Sequence, residues 1–175
     1  MKKLAILLFV VAACTPLGWA GEAEDDAKAA IRGVADRLGK QCKAETLPSP
    51  FDRIIDLHLT VMGAEDLAYY GRHLEATPQL LSPQIRERLE AAKSIRADQY
   101  IDALIKREEI YGGLEALLGR YDAVLCLAST GPAPKGFETT GSAIFNGLWT
   151  FVGTPAVTVP VFTAGNGMPM GAQMV

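Results

Sequence analysis

From Ala123 to Ala128 the chain reads Ala-Val-Leu-Cys-Leu-Ala, with Asp122 before it and Ser129 after it. A run this short with no polar face fits a β-strand covered on both sides, as happens where helices pack on the two faces of a sheet. The sequence upstream supplies the helices. Ala27, Ala30, Ile31, Val34, Ala35 and Leu38 recur at the spacing of one buried helical stripe. Acidic residues from Glu22 to Asp26 open that helix and Gly39 suits its C-terminal cap. Cys42 to Leu47 alternates weakly, as an exposed or edge strand does, before Pro48 and Pro50. Phe51 to Ala76 reads as mainly helical. Ser82 with Pro83 starts a helix that runs to Ala92. Ser94 to Leu118 carries a further stripe, with Gly112-Gly113 as a bend and Gly119 as the stop. Ala156 to Val161, and Met170 onward, read as strands joined by a turn at Gly165-Asn166-Gly167. The expected fold class is α/β, a mixed sheet of about 3–5 strands flanked by helices.

Length and composition exclude several classes. A chain of 175 residues that is 49% hydrophobic holds enough apolar surface for one core. A net charge of −3 with both signs interspersed offers no basic stripe, so nucleic acid is not expected as a partner. Cys14, Cys42 and Cys126 lie far apart without a metal-ligand spacing, so neither a metal nor a disulfide framework is expected. No cofactor motif is present.

The N-terminus reads in two ways. Lys2 and Lys3 precede an apolar run from Leu4 to Ala13, too short to span a bilayer and of the length found in secretory signals. Val11-Ala12-Ala13-Cys14 is similar to a lipobox, in which Cys14 is lipidated, and only then is a membrane a partner. The same run, bounded by Thr15, Pro16 and Gly18, is also how a first buried strand reads. Residues 1–14 are therefore a signal-like segment or a strand, with 15–175 as one domain. Localisation follows that choice: exported or anchored in the first case.

The C-terminal third carries a pattern. Tyr121-Asp122 opens the apolar strand. There follow Gly131-Pro-Ala-Pro-Lys-Gly136, Thr140-Gly141, Phe145-Asn146, Trp149-Thr150, Gly153-Thr-Pro155, Val159-Pro160 and Gly167-Met-Pro-Met-Gly171 with Gln173. In order and spacing this resembles the C-terminal part of the amidase-signature family. Thr15-Pro16, Trp19 and the helix from Glu24 extend the likeness upstream. Leu127 departs from it, standing where the family usually has proline. The resemblance implies a partial amidase fold, read here as a domain interrupted at both ends, and a cytoplasmic parent enzyme that cleaves linear amides. It also implies a Ser-Ser-Lys mechanism, with a serine nucleophile, a relay serine and a lysine base. Those groups belong to a Gly/Ser-rich signature and an upstream lysine. Ser49, Ser82, Ser94, Ser129 and Ser142 are the serines here, and none stands in a Gly-Ser-Ser-Gly context. No catalytic residue is assigned, and the chain is expected to be inactive alone. The alternative function is that of a small exported lipoprotein using the scaffold for binding or support.

The resemblance further implies a substrate pocket lined by Thr140, Gly141, Gly153, Thr154 and Pro155. The competing reading is that Trp149, Phe151, Val157 and Val159 form a core beneath those loops. His58 and His73, the two histidines, have no serine or cysteine near them in sequence for a base to activate. Strands around Val124 to Ala128 and Ala156 to Val161 are expected to be left uncovered and to favour self-association.

Overall fold

The computed structural model describes residues 11–15, 22–47 and 51–175. The signal-like run at 1–10, the turn with Pro16 and Trp19, and Pro48, Ser49 and Pro50 lie outside the described residues. The elements are β1 (Val11–Thr15), α1 (Asp25–Leu38), β2 (Cys42–Thr46), α2 (Ile54–Ala76), α3 (Pro83–Ala92), α4 (Ala97–Leu118), β3 (Ala123–Leu127), α5 (Gly147–Val152), β4 (Val157–Thr163) and β5 (Pro169–Met174).

The five strands form one mixed sheet in the order β2-β1-β3-β5-β4. β1 runs parallel to both β2 and β3, while β5 is antiparallel to β3 and to β4. β3 is central, and its alternation explains the layering. Val124 and Cys126 join the core built by α2, α4 and α5, with Phe51, Ile54, Ile110, Leu114 and Trp149. Leu125 and Leu127 point the other way, into a smaller core with Ala27 and Ile31 of α1 and with Phe145 and Ala172. Burying each such leucine or isoleucine contributes about 1.5–3 kcal/mol. The strand has no polar position because both of its faces are interior.

The helices stop and start where local chemistry requires. Ser82 Oγ accepts the Ile85 N–H at 3.3 Å, and Pro83 follows at the first helical position. Gly39 closes α1 at φ 54°, a conformation that favours glycine. Gly112 and Gly113 lie within the continuous helix α4, where Gly113 lets the ring of Phe51 approach; a Cβ there would stand 3.2 Å from it.

Two expectations need correction. Val124 to Leu127 is not uncovered: its residues are 0–2% exposed. Val157 and Val159 are not core residues but 64% and 43% exposed, because β4 is the outer strand of the sheet. Trp149 and Phe151 are buried, on a six-residue helix that the sequence reading did not separate from its surroundings. Among the described residues no helix is long and apolar enough to cross a membrane.

Candidate functional site

The loop that leaves the buried strand β3 must surface at the strand's C-terminal end, and there it forms one wall of a cleft of about 360 Å³. Ala128 to Pro134 make that wall. Thr140, Gly141 and Ser142 make a second, Thr158 and Pro160 of β4 a third, and the start of β5 the floor. Glu24, at the N-terminus of α1, closes one side.

Four hydrogen bonds hold the loop. The Glu24 N–H donates to the Thr130 carbonyl at 2.7 Å and the Ala133 N–H to the Pro169 carbonyl at 3.1 Å. Asn146 Nδ2 donates to the Ala128 carbonyl at 2.9 Å, and Ser129 Oγ to the Gly131 carbonyl at 2.6 Å. Behind the loop, Gln173 Nε2 donates to Asn146 Oδ1 at 2.9 Å and Cys126 Sγ donates to Gln173 Oε1 at 3.5 Å. Gln173 is buried, and these partners are what make a buried amide tolerable. Gly131 lets the Glu24 carboxylate lie close to the loop backbone, and a Cβ there would push that side chain aside. Gly141 holds φ 84°, and its N–H donates to Thr139 Oγ1 at 3.1 Å.

The five residues assigned to a pocket are not all brought together. Thr140 and Gly141 line the cleft. Gly153 caps α5 and lines a separate depression of about 310 Å³ with Arg107, Glu108 and Tyr111. Thr154 and Pro155 follow it, away from the cleft lining; Thr154 Oγ1 is buried without a hydrogen-bond partner among the described residues, and so is Trp149 Nε1. Cys14 stands in β1, opposite Glu45 of β2. Sequence reasoning passed over Glu24 as a cleft residue, taking it for a helix start, and gave Asn146 and Gln173 no role. The pairing of β3 with β5 brings Gln173 to Asn146, and the bond from the Glu24 N–H to Thr130 brings Glu24 to the cleft.

The two serine hydroxyls of the cleft are engaged in turns. Ser129 donates as above, and Ser142 Oγ accepts the Ile144 N–H at 3.4 Å. His58 lies elsewhere, in a hollow of about 290 Å³ with Glu65, Asp66 and Arg107. Its ring packs edge-on against Phe151, with centroids 6.1 Å apart, and burial lowers its pKa from the ordinary 6.5. Asp66 is ion-paired there, its Oδ2 3.0 Å from Arg88 Nη2. Among the described residues no group of His, Cys, Asp and Glu is placed to hold a metal ion.

The fold is that of part of the amidase-signature enzymes. A crystal structure of an amidase superposes with a TM-score of 0.77 at 23% identity, covering 95% of this chain and 42% of that one. An enzyme of s-triazine catabolism, seen in a vestigial protein complex, gives 0.77 at 23% identity over 95% and 38%. A bacterial aryl acylamidase of the amidase-signature family gives 0.70 at 13% identity over 96% and 40%. The chain thus spans about two fifths of the length of the solved enzymes it matches. No protein-family model matches the sequence, and no curated protein sequence matches it.

Proposed function

We propose that this chain is the scaffold part of an amidase-signature hydrolase acting on linear amides, that it provides one wall of the amide-binding cleft around Thr140 and Gly141, and that it is catalytically silent alone. The observation that carries this reading is the superposition of 95% of the chain on amidases of more than twice its length. The cleft supports it, because it sits where the loop leaves β3 and opens beside the exposed strand β4. Silence follows from chemistry. A serine needs a base within hydrogen-bond reach, and Ser129 and Ser142 are instead tied into their own loops.

The test is hydrolysis of simple linear amides by purified chain, with release of amine or ammonia followed against buffer. No turnover above buffer is expected, since loss of a catalytic triad lowers rates by many orders of magnitude. Turnover abolished by Ser129→Ala or Ser142→Ala overturns the silent-scaffold reading.

The same reading assigns β4 as the surface through which the chain self-associates. Val157, Val159 and Val161 are exposed on this outer strand, and Pro160, at the bulge between Val159 and Phe162, blunts only part of its length. Light scattering should show dimers or larger species that Val159→Lys reduces while the unfolding midpoint stays unchanged. A monomeric parent chain overturns this part.

A further inference from the structure

Among the described residues, Glu24 is the one ionisable residue that lines the cleft; the rest are hydroxyl-bearing, glycine, proline, alanine or methionine residues. Its carboxylate lies against the Gly131 backbone, where any larger residue would displace it. Among the described residues it has neither an ion-pair partner nor a side-chain hydrogen bond, although it occupies the N-cap of α1. A helix N-terminus carries roughly half a positive charge, so it offsets only part of a full carboxylate charge. Asp25 and Asp26 follow immediately in the chain, and Lys28 stands 4.0 Å from Asp25 rather than against Glu24.

A cleft whose single charge is an uncompensated carboxylate selects cations. We infer that Glu24 is a specificity-determining residue and that the cleft takes linear amides bearing an ammonium group, in preference to neutral or anionic amides. The volume of about 360 Å³ holds a small amide together with a short amine-bearing arm. Thr140, Gly141 and Ser142 line the same cleft as Glu24, and the Thr140 hydroxyl and Gly141 carbonyl are polar groups of that lining. This inference rests on the cleft reading above. It adds the class of substrate and the residue that chooses it.

Binding to the full chain tests it without turnover. Isotope-labelled protein is titrated with β-alaninamide, propionamide and succinamate, which share an amide and differ in a cationic, neutral or anionic end. The amide signals of Gly131, Gly141 and Gly171 report the cleft. β-Alaninamide should bind about fivefold more tightly than propionamide, the effect of an exposed charge pair, and succinamate most weakly. The gap should shrink when salt rises from about 20 mM to about 500 mM. Glu24→Gln should remove the preference, bringing the affinity for β-alaninamide to that for propionamide in the same variant. Glu22→Gln, outside the lining, should keep it. Should Glu24→Gln lose the folded fingerprint, Glu24→Asp serves instead and should keep a reduced preference. Equal affinities for the three amides in the parent chain overturn this inference and leave the cleft reading standing. No shift at the three glycines with any amide overturns both.

Discussion

Gln173 on β5 donates its side-chain amide to Asn146 Oδ1 at 2.9 Å, and Asn146 in turn donates to the carbonyl of Ala128, the first residue after β3. Two elements that enter the cleft from different directions are thereby fixed to one another. Asn146→Ala removes an acceptor from Gln173, which is buried, and a donor from Ala128, which borders the cleft. Groups orphaned in this way cost about 1–3 kcal/mol each when water cannot replace the partner. A urea melt of Asn146→Ala should show a loss of about 2 kcal/mol, with hydrogen exchange accelerated in residues 129–134. Unchanged exchange there would show that the loop is held by its other bonds.

Val11, Ala12 and Ala13 pair with Ala123, Val124 and Leu125, and these are all the residue pairs that join β1 to β3. Cleavage at a lipobox, which makes Cys14 the new N-terminus, removes all three. The lipoprotein and strand readings of the segment therefore compete physically. The same cleavage also removes the pairs of these residues with Cys42, Lys43 and Ala44 of β2, so at about 1 kcal/mol for each backbone hydrogen bond forfeited a chain beginning at Cys14 should lose several kcal/mol. Against a total stability of about 5–15 kcal/mol this broadens or abolishes cooperative unfolding. Palmitate labelling through Cys14 in a chain that still melts cooperatively would restore the lipoprotein reading.

His58 supplies a pH dependence. Its folded pKa lies below the ordinary 6.5 because burial disfavours the charged ring. Between the folded value and 6.5 the unfolded chain binds more protons than the folded one, so stability rises with pH in that window. The contribution is complete above 6.5 and is lost as pH falls through the folded pKa. Melts at about pH 7.5 and about pH 5.5 should show the parent weakened at the lower pH, and His58→Gln less so. An equal slope in both proteins would assign the dependence to carboxylates.

The sequence made legible those elements whose surroundings impose a period or a terminus. α1 shows its stripe and Gly39, α3 its Ser82-Pro83 start, and β3 an apolar run with no polar face. α5 stayed hidden because five of its six residues are buried and Thr150 alone is exposed, so the helix is too short to show an amphipathic period. In β4 the valines announced a strand, but burial depends on what lies alongside, and no strand flanks its outer edge among the described residues. The cleft was legible at Thr140 and Gly141 through family resemblance. Glu24, Asn146 and Gln173 were not, because they meet the loop after β3 only once α1 and β5 are packed against it.

Thr154 offers a change whose sign separates two roles. Its Oγ1 is buried and unpartnered among the described residues, while its N–H donates to the Trp149 carbonyl at 3.0 Å. A hydroxyl taken out of water without a partner costs about 1–3 kcal/mol on the evidence of protein mutations. Valine keeps the shape and removes that loss, and the backbone bond to Trp149 is untouched. If Thr154 only packs beneath the Gly153 turn, Thr154→Val should stabilise the chain by about 1 kcal/mol in a denaturant melt and leave amide binding at Gly141 unchanged. A destabilised variant would show that the hydroxyl has a partner in solution, and a loss of amide binding would return Thr154 to the pocket with Thr140 and Gly141.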